Sequence, residues 1–251
     1  MSSNIRKKIL SGNPSIGTWM QIPSNSVAEI LGNAGYDWVA VDLEHGHFSN
    51  KDLPDIFRAI ELGGSTPFAR VAEGNKKEIK AALDAGAQGI ILPMIESREQ
   101  LEDCISHIFY PPIGNRGIGF SRANLFGKNF LPYFDNVSSE TYVVAQIENI
   151  KAVDNLDEIL SVNKLDAIMI GPYDLSGSMD MVGEFGNPEF IKTIESISKK
   201  ANQMNIPVGL HVVKPDINEL NAKIHDGYKF IAYGVDSVFL VNSCEKPSFN
   251  I

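Results

Sequence analysis

The residues best equipped for chemistry all stand directly after short apolar runs. The run DWVAVD at 37–42 passes into Leu43-Glu44-His45-Gly46-His47, and PFARV at 67–71 carries Arg70. YVVAQIE at 142–148 contains Gln146 and closes on Glu148, and DAIMIG at 166–171 leads to Pro172-Tyr173-Asp174. A later run holds His211, with Lys214 just beyond it. Glu148 and Asp174 could each give an oxygen to one divalent cation, since few protein ligands plus water is the habit of Mg²⁺ or Mn²⁺. Glu148 could equally do no more than start the next helix, where a carboxylate favours the dipole. Arg70 suits bidentate capture of a substrate carboxylate, or it forms an ion pair with Asp42 or Glu44. His45 and His47 are rival general bases for work near neutral pH. His211 reads either as a site residue or as a satisfied core histidine, while His107 and His225 fall at helical surface positions.

Those residues need a frame that brings strand ends together. Eight short, continuously apolar runs occur at about 15–22, 37–42, 67–71, 89–95, 142–148, 166–171, 207–213 and 228–234. Continuous rather than alternating apolar character predicts strands covered on both faces. The stretches between them carry helical period: Leu53, Ile56, Phe57 and Ile60; Phe190, Ile194, Ile197, Ala201 and Met204; Ile217, Leu220 and Ile224. Ser26 with Glu29, Asn75 with Glu78, and Ser97 with Gln100 fit helix starts. Gly35, Gly86 and Gly227 fit left-handed helix ends. Eight strands alternating with helices predict a single (β/α)₈ TIM barrel spanning 1–251, whose site lies at the C-terminal ends of the strands. No GxGxxG follows the first strand, which argues against an open dinucleotide-binding sheet. One segment departs from the rhythm: 109–140, rich in Gly, Pro, Arg and aromatics, reads as a long ordered loop that covers something.

Composition narrows the partners. The chain has 251 residues, 43% of them hydrophobic, with 22 basic against 31 acidic residues and a net charge of −9. That balance argues against nucleic acid and anionic membranes as partners, and the apolar content against disorder. Two distant cysteines, Cys104 and Cys244, make neither a disulfide framework nor a thiolate zinc site. Without a signal-like or membrane-spanning run the expected location is the cytoplasm. No GxSxG elbow or Walker-type loop appears. Lys214, just past the seventh strand, leaves a Schiff base open, but it precedes Pro215 and leads into a loop, whereas that chemistry best fits a desolvated lysine within a strand.

The motifs AVDLEHG at 40–46, AR at 69–70, ALDAGAQGIILPMIES at 82–97, YPPIGNRGIGFSRA at 110–123, AQIEN at 145–149 and IGPYDLSGSM at 170–179 occur in this order. Together they resemble the HpcH/HpaI family of class II, metal-dependent pyruvate aldolases within the phosphoenolpyruvate-binding barrel superfamily. The resemblance covers essentially the whole chain. It implies Glu148 and Asp174 as ligands of a divalent cation (Mg²⁺, Mn²⁺ or Co²⁺) and Arg70 at the oxo acid. It also implies His45 as the base with Asp84 paired to it, Gln146 against the oxo acid, the backbone at Gly171, Pro172 and Tyr173 around the carboxylate, and Asp42 near the aldehyde.

The implied reaction is reversible cleavage of a 4-hydroxy-2-oxo acid to pyruvate and an aldehyde. Substrates of the family include 4-hydroxy-2-oxoheptanedioate and 2-keto-3-deoxy sugar acids. Alternatives using the same site are a CoA-ester lyase or an oxaloacetate decarboxylase, and, from another class, a non-catalytic barrel that binds a 2-oxo acid. The family's members are homo-oligomers, and a neighbouring subunit often completes the site. A trimer or hexamer is therefore expected, although the chain stops at Ile251 and leaves only a short last helix for exchange between subunits. Tyr173 stands where the family commonly carries a small residue, so aldehyde selectivity is expected from Tyr173, the 109–140 segment and a neighbour.

Overall fold

Each of the eight apolar runs forms a strand, and the strands close on themselves. The structure, a computed structural model, describes residues 2–244 and 246. The strands are β1 (Ser15–Met20), β2 (Trp38–Asp42), β3 (Thr66–Arg70), β4 (Gly89–Leu92), β5 (Tyr142–Ile147), β6 (Ala167–Ile170), β7 (Val208–Val212) and β8 (Phe230–Val235). They pair in sequence order, all parallel, and β8 returns to β1. The protein is therefore a (β/α)₈ barrel.

Twelve α-helices are described. An N-terminal α1 (Ser2–Leu10) precedes the barrel. Around it follow α2 (Asn25–Asn33), α3 (Leu53–Gly63), α4 (Lys76–Ala85), α5 (Arg98–Ile108), α6 (Phe130–Glu140), α7 (Ile150–Asp154) and α8 (Leu156–Leu160). The remainder are α9 (Pro172–Ser178), α10 (Pro188–Gln203), α11 (Ile217–His225) and α12 (Asp236–Ser243). None is long and apolar enough to cross a membrane.

The local signals largely act as their chemistry dictates. Asn75 accepts from the amides of Lys77 and Glu78, and Ser97 from that of Gln100. At α2 the cap is Ser24, which accepts from Val27, and Ser26 is already inside the helix. Gly35, Gly86 and Gly227 all adopt positive φ just past their helices. On α3, Leu53, Ile56, Phe57 and Ile60 are buried against the strands.

Strand parity sorts the barrel interior into a floor and a polar layer. Trp38, Phe68, Tyr142 and Phe230 stack near the N-terminal ends, with ring centroids 4.3–5.8 Å apart. Gly17 and Gly89 make room for them: a Cβ would lie 2.0 Å from the Trp38 ring or 2.1 Å from that of Phe68. Two or four residues further along the strands, the same inward parity delivers Trp19, Asp42, Arg70, Gln146 and His211 to the C-terminal mouth. The floor is a packed, buried aromatic layer, and the polar layer lies on its mouth side.

The 109–140 segment corrects an expectation. It is not one loop: a 3₁₀ turn (Arg122–Gly127) and the full helix α6 occupy much of it. It also covers the opposite end of the barrel from the mouth, because α5 has already carried the chain back before it begins. Arg122 bonds Ala85 and Glu61, and Arg6 of α1 bonds Ser139, Thr141 and Asp166 there. Ile118, Phe120, Leu125, Phe126 and Leu131 of this segment remain exposed. A cavity of about 300 Å³ at that end, between α1 and the ends of α2 and α3, holds none of the expected site residues.

Candidate active site

The centre of the mouth is an arginine held from two sides. Arg70 ends β3 beside Asp42 of β2, its in-register neighbour. Arg70 Nε and Nη2 donate to the two Asp42 oxygens at 2.9 and 2.8 Å, and Nη1 lies 2.8 Å from Glu44 Oε2. Its guanidinium carbon sits 4.3 Å above the Trp19 ring. Both ion-pair partners considered from the sequence are thus present, and they aim the guanidinium rather than retire it, since it stays at the edge of the mouth with 9% exposure.

Asp42 is wholly buried and has no face left for an aldehyde. Besides Arg70 it accepts from the Gln21 amide side chain at 2.9 Å and from the backbone amides of Glu44 and His45. Burial alone would raise its carboxyl, but the bonds and charge of Arg70 outweigh that and hold it below the ordinary carboxylate range. Asp42 therefore sets both Arg70 and the turn that presents His45. His45 and His47 are exposed on that turn, at the mouth.

The second half of the site is acidic. Glu148, just past β5, is 3% exposed. Its Oε1 accepts from the Met94 amide at 2.6 Å, and its Oε2 from Gln146 Nε2 at 3.2 Å. Met94 reaches it from a left-handed backbone, φ 50°, held in turn by a bond from Gln100 to its carbonyl. Strain of this kind in a non-glycine residue clusters at functional sites. Burial, helped by the charges of Glu44 and Asp174, pushes the Glu148 carboxyl up to about 7. Asp174 lies exposed in the first turn of α9, whose Ser178 accepts from the Ile150 amide and so ties α9 to the element after Glu148. Gly171 packs so closely that a Cβ there would come within 2.5 Å of Glu148 Oε2.

A small, hard cation fits this half. Glu44 and Asp174 add negative charge at Glu148 against that of Arg70, the side-chain donors are oxygen, and Gln146 Oε1 is buried with no partner. Among the described residues no group of three or more His, Cys, Asp or Glu is arranged around one point. The chain would thus supply Glu148 and Asp174, leaving the remaining positions to substrate and water.

One expected pairing is not formed within the chain. Asp84 is next to the end of α4, at the closed end of the barrel, while His45 is at the mouth. Arg116 Nη2 binds Asp84 at 2.7 Å and Lys80 lies 3.4 Å away, so the carboxylate already has partners. Lys214 is exposed beyond β7, in no dry pocket of the kind that activates Schiff-base lysines. Sequence reasoning passed over Trp19, Gln21 and the Met94 amide. The inward parity of β1 could have flagged Trp19, but an amide donor carries no sequence signal.

An arginine, two carboxylates and an exposed histidine thus stand at the C-terminal strand ends, where barrels of this kind carry their active sites. Residues 15–243 match the family described as HpcH/HpaI aldolase/citrate lyase, and the chain belongs to that family. It is 35% identical over 245 residues to a hydroxypyruvate/pyruvate aldolase of Roseobacter denitrificans, covering 96% of this chain and 94% of that one. It is 34% identical over 248 residues to a 2-keto-3-deoxy-L-rhamnonate aldolase of Escherichia coli K12, covering 98% and 92%. A crystal structure of a family member from Burkholderia cenocepacia superposes with a TM-score of 0.90 at 27% identity, covering 96% of each chain. The protein is a carbon–carbon lyase of the aldolase type.

Proposed function

We propose that this enzyme is a divalent-metal-dependent pyruvate aldolase, reversibly cleaving a 4-hydroxy-2-oxo acid to pyruvate and an aldehyde. The observation that carries the reading is Arg70, fixed by Asp42 and Glu44 at the same mouth as two carboxylates, Glu148 and Asp174, the charge of the second raising the pKa of the first. The names of the curated relatives, which act on pyruvate, hydroxypyruvate or a 2-keto-3-deoxy acid, support it.

Glu148 and Asp174 would hold the cation, with Gln146 Oε1 turned to the same space. A bound Mg²⁺, Mn²⁺ or Co²⁺ supplies Lewis-acid stabilisation of negative charge on the oxo acid's oxygens. Arg70 donates to the 2-oxo oxygen as its charge grows on breaking the C3–C4 bond, a pre-set donor that need not reorganise. The backbone at Gly171, Pro172 and Tyr173, one residue before Asp174, borders the carboxylate. His45 takes the proton of the 4-hydroxyl as C3–C4 breaks and gives it to C3 of the enolate to form pyruvate; condensation runs both transfers in reverse.

We infer in addition that the working form is a homo-oligomer in which Asp84 of one chain stands by His45 of the next. The exposed apolar ridge from Ile118 to Leu131 adjoins Asp84, whose side chain keeps 30% exposure beside Arg116. Mixing inactive His45→Ala and Asp84→Asn proteins tests this: recovered activity supports shared sites, and none removes the pairing.

The function itself is tested by exchange of the pyruvate C3 protons with deuterium, followed by NMR. Exchange that EDTA abolishes and Mn²⁺ restores is expected. Exchange indifferent to EDTA would overturn the metal, and no exchange at all would turn the search to a CoA-ester substrate or a silent barrel.

A further inference from the structure

His211 is a polar group at the mouth that the proposed chemistry does not use. It is the fourth residue of β7, in register with Ala232, and shares the inward parity of the aromatic floor. Its ring lies flat on Trp19, with centroids 5.3 Å apart and planes 12° apart. Trp19 also carries the Arg70 guanidinium at 4.3 Å, so one indole links the imidazole to the oxo-acid clamp.

The fold assigns the proton on that imidazole. Nε2 is 2.9 Å from the carbonyl oxygen of Gly234, which can only accept, so Nε2 carries the hydrogen. Gly234 is itself fixed, with φ at 70° and so close to Phe239 that a Cβ would fall 2.2 Å from its ring. In the neutral ring Nδ1 is then a bare acceptor. Among the described residues nothing bonds it, and it is not among the sealed polar atoms. Burial, with the positive charge of Arg70 in support, keeps the ring neutral by pushing its pKa down to about 4. Close to Trp19, Arg70 and the unpartnered Trp19 Nε1 are donors, while Asp42 and the Gln21 side chain already have partners.

The geometry points to His211 as a specificity residue whose Nδ1 accepts a hydrogen bond from a substrate hydroxyl adjacent to the reacting carbonyl. This rests on the aldolase reading above. A methyl group gains nothing from that lone pair and a carboxylate is repelled by it, whereas an O–H satisfies it. The hydroxyl can belong to the oxo acid, as in hydroxypyruvate, or to the aldehyde, as in glycolaldehyde.

The test is kcat/KM of the Mn²⁺-loaded enzyme for pyruvate or hydroxypyruvate with acetaldehyde or glycolaldehyde, four pairs in all. It is measured in the native protein, in His211→Leu and in His211→Asn, whose amide oxygen falls near Nδ1. The native protein should prefer a hydroxylated partner, and His211→Leu should lose about tenfold or more of that preference, the scale of one hydrogen bond. His211→Asn should retain most of it. A loss confined to hydroxypyruvate assigns the hydroxyl to the oxo acid, and one confined to glycolaldehyde assigns it to the aldehyde; either supports the inference. Using a ratio cancels any uniform damage to the fold. Turnover of all pairs with an unchanged ratio in His211→Leu overturns His211 alone, whereas no turnover of any pair by the native protein overturns the aldolase reading with it. Independently, the ¹⁵N resonances of His211 at neutral pH should show the Nε2–H tautomer; finding Nδ1–H overturns the assignment.

Discussion

Arg70 and Asp42 face each other across two parallel hydrogen bonds, 2.9 and 2.8 Å long, and the carboxylate of that pair is entirely shut away from solvent. The pair is a mounting for the guanidinium, and its planar fork is what both partners read.

Arg70→Lys keeps the charge and loses the fork. Turnover of the oxo acid should fall about a hundredfold or more, the scale for removing one pre-set oxyanion donor. Asp42→Ala should lower stability by about 3 kcal/mol, because it leaves the buried Arg70 with Glu44 alone. Steady-state kinetics and urea unfolding read the two effects. Near-native turnover in Arg70→Lys would remove the clamp.

Glu148 sits in a pocket that disfavours its charge without a cation. Adding Mn²⁺ to the EDTA-treated native protein should therefore raise its melting temperature, while Glu148→Gln should respond little and Gly171→Ala, which drives a methyl into Oε2, should respond weakly. A full response in Glu148→Gln would place the cation elsewhere.

The pH dependence of stability should carry a mark from His211. Its pKa falls from 6.5 to about 4 on folding, so the unfolded chain binds the proton more readily. The stability due to the neutral ring is complete above about pH 6.5 and is lost as pH falls through the folded value. Relative to His211→Leu, the native protein should weaken between about pH 6.5 and 4. Parallel melting curves over that window would contradict it.

Lys214 is exposed and outside the site. Lys214→Ala should keep activity within about threefold, as surface changes do, and borohydride with pyruvate should trap no adduct. A trapped adduct at Lys214 would reverse the mechanism.

The barrel was legible because each strand is a continuous apolar run, and glycines such as Gly86 and Gly227 mark where helices stop. Helix α6 was not, since FLPYFDNVSSE lies within a stretch rich in Gly, Pro and aromatics that reads as a loop, and it buries only Val137. Arg70, Glu148, Asp174 and His45 stood out by following strands. The Arg70–Asp42 pair was one of the options read, but the further bonds Asp42 accepts were not, because Gln21 lies just past β1 and the Glu44 and His45 amides carry no sequence signal. Asp84 drew notice by resemblance alone, and the single chain places it at the far end of the barrel.

Met94 has a methodological consequence. The group that grips Glu148 is the amide of that residue, while its side chain points away, 41% exposed. Replacing the side chain with alanine would leave the grip intact and report the position as dispensable. A main-chain ester at this position, with oxygen in place of N–H, is the substitution that would reveal its contribution.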